Sequence, residues 1–84
     1  MKYIILDVRE QAEFSLGHVE GALNIPVGSL SASSSELKNL PKDSSIIVYC
    51  QSGGRAGLAQ EKLHNIGFTN VHNGINQPSV ESNL

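Results

Sequence analysis

Ile46-Ile47-Val48-Tyr49-Cys50-Gln51-Ser52-Gly53-Gly54-Arg55 is the stretch on which the reading of this chain turns. Four consecutive apolar residues have the length and β-branched content of a buried strand. They deliver the only cysteine of the chain. Two glycines then turn the backbone, and Arg55 closes the turn where a helix is predicted over Arg55 to Ile66. Ala56, Ala59, Leu63 and Ile66 fall on one face of that helix at helical spacing. Gly67 stands where a helix stops, and Phe68 is placed to fold back onto Leu63 in a Schellman closure.

The same alternation extends outward. Tyr3-Ile4-Ile5-Leu6 is a continuous apolar run suited to a strand covered on both faces. Glu10 to Leu16 reads as a short helix stopped by Gly17, and Ala22 to Ile25 as a short strand ended by Pro26. Gly28 to Ser35 is a Ser-rich connection. Ser33 and Glu36 have capping-box spacing for a helix Glu36–Leu40, which Pro41-Lys42-Asp43 ends. Thr69 to His72 is a last strand. Strands alternating with helices predict an α/β fold: a small three-layer domain with a mainly parallel central sheet flanked by helices. The chain is read as one domain over 1–84, with residues from about 76 to 84 a loosely held polar tail. Loops at the carboxyl ends of parallel strands are where sites form, and Cys50 lies at such an end.

Composition narrows the function classes. A length of 84 residues with 39% hydrophobic content allows one small core. The net charge of -2 and the scattered Lys2, Arg9, Lys38, Lys42, Arg55 and Lys62 argue against a nucleic-acid partner. One cysteine excludes an internal disulfide and a multi-cysteine zinc site, and three dispersed histidines make no metal site. No apolar run approaches the length of a membrane span. The run from Met1 to Leu6 meets Asp7 too soon for a signal peptide. The chain as given reads as cytoplasmic, or as periplasmic if a signal has been removed, and as a monomer.

The Cys50 loop has a chemistry of its own. A thiol becomes a nucleophile as thiolate, which requires its pKa to fall from about 8.5. Unpaired N–H groups at the start of the following helix favour negative charge there. Arg55 adds a fixed positive charge. Gly53 and Gly54 permit conformations that turn successive N–H groups inward as an anion-binding nest. A buried cysteine acting as a small hydrophobe is the bland alternative. The Gly-Gly-Arg that follows favours the reactive one.

With the loop Cys50-Gln51-Ser52-Gly53-Gly54-Arg55 in view, the chain resembles the rhodanese-type sulfurtransferases. A second segment matches the amino-terminal signature of that family: Leu6-Asp7-Val8-Arg9-Glu10, Glu13-Phe14, and Gly17-His18-Val19-Glu20-Gly21-Ala22-Leu23-Asn24-Ile25-Pro26. Gly67-Phe68-Thr69-Asn70-Val71 resembles the turn and strand after the family's active-site helix. The resemblance covers about 3–75, and the size is similar to that of the small single-domain, phage-shock-type members. It implies ping-pong transfer of sulfane sulfur. Cys50 takes sulfur from thiosulfate or another sulfane donor and passes it from a persulfide to cyanide or a thiol. It further implies that Gln51, Ser52, Gly53, Gly54 and Arg55 bind the donor, with Arg55 on its oxyanion end, and that no metal or organic cofactor takes part. Two positions depart from the family pattern. Position 51, often basic, is Gln, and the segment after the last strand lacks the family's Gly pair and Trp.

Asp7, Arg9, Glu13 and His18 are expected to support the site rather than react. Arg9 and Glu13 are spaced to pair across one helical turn, Asp7 belongs to a buried polar network behind the loop, and His18 bonds a backbone group. Two rival functions share the loop. A cysteine phosphatase also follows its cysteine with an anion loop and an arginine, but with one more residue between them than the four found here. A persulfide carrier or binding module would use the same cysteine with a dedicated protein partner.

Overall fold

In the computed structural model, which describes residues 3–84, the element order is strand β1 (Ile4–Asp7), helix α1 (Gln11–Leu16), strand β2 (Leu23–Asn24), a 3-10 turn (Val27–Ser29), helix α2 (Ser35–Lys38), strand β3 (Ile46–Cys50), helix α3 (Gly54–Ile66), strand β4 (Val71–Asn76) and helix α4 (Gln77–Ser82). Met1, and Lys2 among the scattered cations, lie outside the described residues. The strands form one parallel sheet in the order β2-β1-β3-β4. The predicted parallel α/β architecture is what the chain adopts.

Alternation along β1 and β3 divides the core in two. Leu6, Ile46, Val48 and Cys50 face α3 and join Ala56, Ala59, Leu63 and Phe68 in the larger cluster. Ile5, Ile47 and Tyr49 point the other way and pack with Val19 and Val80. Both faces of β1 and β3 are therefore covered, which is why their sequences are continuous apolar runs rather than alternating ones. Helix α3 ends as expected. The Phe68 N–H donates to Leu63 O at 3.0 Å and the Gly67 N–H to His64 O at 3.0 Å, the two bonds of a Schellman closure.

Several local expectations shift. The cap of α2 is Ser34, not Ser33, and no capping box forms there; the Ser34 hydroxyl is turned toward Ser29 O and the Ser31 N–H instead. The box forms at α1, where the Glu13 side chain accepts the Glu10 N–H at 3.0 Å. Strand β4 begins later and runs longer than Thr69–His72.

The largest correction concerns the carboxyl terminus. The tail expected to be loose from about 76 forms α4 and closes the second core cluster. Asn76 caps the helix by accepting the Ser79 N–H at 2.9 Å, and Pro78 sits in the first turn, where its missing N–H costs nothing. Val80 anchors it at 3% exposure. Close approach is possible because the facing strand carries Gly74. That glycine is the extra residue of a bulge, since Val48 pairs with Asn73 and Tyr49 with Ile75. The bulge leaves Ile75 at φ 75°, a left-handed conformation that costs a β-branched residue about 1–2 kcal/mol. Ile75 lies against Gly53, so this strain sits beside the cysteine loop.

Candidate active site

Strand β3 ends at Cys50, and the chain turns at once into α3. Gly53 makes that turn possible by adopting φ 96° as the residue before the helix, whereas Gly54 is already helical. Only one of the two glycines therefore uses the conformation closed to other residues. The result brings backbone N–H groups onto the sulfur. Gly53 donates to Cys50 Sγ at 3.1 Å and Ala56 at 3.4 Å. These belong to the first turn of α3, whose N–H groups have no partner within the helix. Burial, at 2% exposure, pushes the thiol pKa up. The N–H groups of Ala56, Ser52, Gly53 and Arg55 outweigh it and hold the thiol below its ordinary value. Folding thus favours the thiolate chiefly through backbone N–H groups, with the Arg55 charge also acting on the sulfur.

The supporting residues form a network behind the loop, with partners that spacing did not predict. Asp7 is fully buried and is held by Arg9, whose Nη2 lies 2.7 Å from Oδ2 and whose Nε and backbone N–H both donate to Oδ1. Arg9 Nη2 also donates to Gly17 O at 2.6 Å. The guanidinium stands 5.5 Å from the centre of the Tyr49 ring. The Tyr49 hydroxyl accepts the Val19 N–H at 3.0 Å, and burial pushes its pKa up to about 12. Tyr49 therefore stays neutral. His18 bonds a backbone group as expected: its Nδ1–H donates to Phe14 O at 2.9 Å while the ring stacks on Phe14.

The expected Arg9–Glu13 pair does not form. A buried carboxylate needs a cation, and Asp7, two residues away, claims Arg9. Glu13 turns instead to Arg55, 42 residues away. Nη1 and Nη2 donate to Oε1 and Oε2 at 2.6 and 3.0 Å, a bidentate pair with side chains 33% and 30% exposed. The Arg55 guanidinium, followed by the Glu10 N–H, lowers the Glu13 pKa to about 2, so Glu13 is ionised at any ordinary pH. Arg55 thus reaches the site already engaged by a carboxylate.

The cavity over the sulfur, about 240 Å³, is lined by Arg9, Cys50, Gln51, Asn76, Gln77 and Pro78. It continues into a groove bordered by Glu13, Leu16 and Gly17, with Arg9, Gln51 and Gln77 shared between them. Half of the inner wall is the segment first read as a tail. Its signal was Asn76 followed by Pro78, an N-cap ahead of a first-turn proline. A separate hollow under α4, lined by Tyr3, Ile47 and Ser79 among others, does not reach Cys50.

Asn73 is a further residue that sequence reasoning passed over. Its Nδ2 donates to Gly53 O at 3.1 Å while its Oδ1 accepts the Ile75 N–H at 2.9 Å. It ties the β4 bulge to the residue whose N–H meets the sulfur. Asn73→Ala is expected to cost about 1 kcal/mol of stability and to move the Cys50 titration toward higher pH. The pH dependence of iodoacetamide alkylation checks this. An unmoved profile in a destabilised variant would reduce Asn73 to a structural bond.

Comparison with known proteins came to the same region of sequence space. The family model described as Rhodanese-like domain matches residues 1–75. An uncharacterized protein, YqhL, of Bacillus subtilis is 38% identical over 69 residues, which is 82% of this chain and 52% of that protein. The chloroplastic Thiosulfate sulfurtransferase 16 of Arabidopsis thaliana is 40% identical over 75 residues, 79% of this chain and 62% of the relative. The chain thus spans about half the length of the first curated relative and under two thirds of the second. Among solved structures, an E. coli rhodanese with anions superposes with a TM-score of 0.82 at 29% identity, covering 93% of this chain and 91% of the other.

Proposed function

The chain belongs to the rhodanese-like domain family, and from that premise we propose that it is a sulfurtransferase in which Cys50 is both nucleophile and sulfur carrier. The observation that carries the proposal is the sulfur itself, buried at the first turn of α3 with the Gly53 N–H at 3.1 Å and the Ala56 N–H at 3.4 Å. The relative named as a thiosulfate sulfurtransferase and the neighbour described as a rhodanese with anions support the same chemistry.

The reaction balances without a redox partner. The Cys50 thiolate attacks the outer sulfur of thiosulfate. An S–S bond forms to Sγ, the S–S bond of the donor breaks, and its electron pair leaves with sulfite. Cys50 then carries a persulfide anion, and the loop N–H groups stabilise it as they stabilised the thiolate. A thiolate or cyanide attacks the terminal sulfur, and the electron pair returns to Sγ. One residue serves in both half-reactions, which is the meaning of covalent catalysis here. Gln51 borders the donor's approach, Ser52, Gly53, Gly54 and Arg55 complete the loop around the sulfur, and Asp7, Arg9, Glu13 and His18 support it from the side.

Intact-mass measurement tests the proposal. After incubation with thiosulfate the chain is expected to gain one sulfur atom on Cys50, removable by cyanide with release of thiocyanate. A chain that alkylates normally at Cys50, yet gains no sulfur from thiosulfate or from an organic persulfide, would overturn it.

A further inference from the structure

The charges around Cys50 are already paired among themselves. Arg9 lines the cavity but is held by the buried Asp7. Arg55 is held by Glu13 through both terminal nitrogens and is not among the residues lining cavity or groove, whereas Glu13 is. Position 51 is an uncharged glutamine, and Asn76 and Gln77 add only amides. Among the described residues, no side chain lining the cavity or the groove is a cation without its carboxylate. A doubly charged donor such as thiosulfate therefore meets a thiolate and, among the described residues, no side-chain cation that a carboxylate has not already neutralised. The groove leading away from the sulfur runs instead past the exposed Leu16, at 92% exposure, and Gly17. An uncharged organic chain can lie along such a surface.

We propose that Glu13 is a specificity-determining residue: by occupying Arg55 and presenting a carboxylate to the groove, it turns the site away from doubly charged sulfur donors and toward organic persulfides. The inference rests on the sulfurtransferase reading and refines its substrate. With an organic persulfide R–S–SH the step balances in the same way. The Cys50 thiolate bonds to the terminal sulfur, the donor's S–S bond breaks, R–S⁻ leaves with the electron pair, and the proton of R–S–SH stays on the transferred sulfur. Because Glu13 cancels the charge of Arg55, a dianion forgoes twice the attraction that a monoanion forgoes at the same place. Glu13 therefore acts on the ratio between donors rather than on the chemistry they share. The pair is buttressed from α1, because Glu13 Oε1 also accepts the Glu10 N–H, so its position is set by a helix cap as well as by Arg55.

The test compares thiosulfate with 2-hydroxyethyl persulfide, whose only ionisable group is its sulfur, on the full chain. Glu13→Gln keeps an oxygen for the Glu10 N–H and removes the charge. The ratio of kcat/KM for thiosulfate to that for the persulfide is expected to rise about tenfold, or about 1.4 kcal/mol. Gln51→Lys places a cation on the rim without disturbing α1 and is expected to move the ratio in the same direction. A readout free of catalysis is protection of Cys50 from iodoacetamide by sulfate, a dianion that cannot transfer sulfur. Half-protection is expected at roughly tenfold lower sulfate in Glu13→Gln. A ratio and a protection curve both within twofold of the parent chain would overturn the role of Glu13 while leaving the sulfurtransferase reading intact. Stronger sulfate protection in a chain that no donor loads with sulfur would overturn the sulfurtransferase reading and leave the charge assignment standing.

Discussion

Cys50→Ser is expected to abolish sulfur loading and transfer while the protein stays folded. Serine keeps the size class and can accept the same N–H bonds from Gly53 and Ala56. The cost in stability is about 1 kcal/mol, from the smaller atom in a packed site. The loss of function is complete because a hydroxyl does not ionise near neutral pH, however many N–H groups face it, and an oxygen cannot form the disulfide-like bond that carries the transferred sulfur. Mass spectrometry after donor treatment reads the first point and circular dichroism the second. Surviving transfer in this variant would move the chemistry to another residue. In the parent chain, Cys50 alkylation is expected to follow an ionisation below the usual value of about 8.5. The sign for stability follows from the same direction. A thiol pKa lowered by folding contributes stability that is full above the ordinary value and fades as pH falls through the folded one.

Gly74→Ala is expected to be the most destabilising small substitution at the sheet edge. A Cβ at this position would lie 2.5 Å from Val80 Cγ2 and 2.8 Å from Ile47 Cγ2, with Val48 O at 3.3 Å. Ile47 is fixed in a central strand, and both side chains are β-branched and stiff. Relief therefore requires α4 to move outward. Overpacking of this kind costs about 1–3 kcal/mol, a fall in melting temperature of roughly 10 °C for a domain of this size. Because Asn76, Gln77 and Pro78 wall the Cys50 cavity, the displacement is also expected to weaken donor binding. Val80→Ala removes the nearest methyl groups. In a double-mutant cycle with Gly74→Ala the two substitutions are expected to couple favourably, the pair costing less than the sum of the singles. An unchanged melting temperature in Gly74→Ala would mean that α4 does not press on the strand.

The Cys50 loop and its helix were legible in the sequence because most of what shapes their backbone lies within about twenty consecutive residues. An apolar strand, a glycine at positive φ, a first turn of free N–H groups and a Schellman stop are local events, and local residue types dictate them. The parallel sheet followed from the same kind of signal, since continuous apolar runs require cover on both faces. What escaped was short or long-range. Helix α4 has a single buried residue, Val80, and so no periodicity to detect, and its anchor is a glycine bulge on another element. The cap of α2 fell among three consecutive serines, where residue type alone does not choose.

The sequence by itself determined the strand–loop–helix that sets N–H groups around the Cys50 sulfur, the parallel α/β class, and the family signature around Asp7 and Arg9. Only the tertiary structure decided which charges pair. Spacing offered Glu13 to Arg9, one helical turn away. Burial gave Arg9 to Asp7, and the folded chain brought Glu13 to Arg55 across 42 residues. The physical reason is that backbone geometry is governed by neighbours in sequence, whereas a charge is governed by its neighbours in space, and a surface carboxylate takes the nearest cation that a buried one has not already claimed.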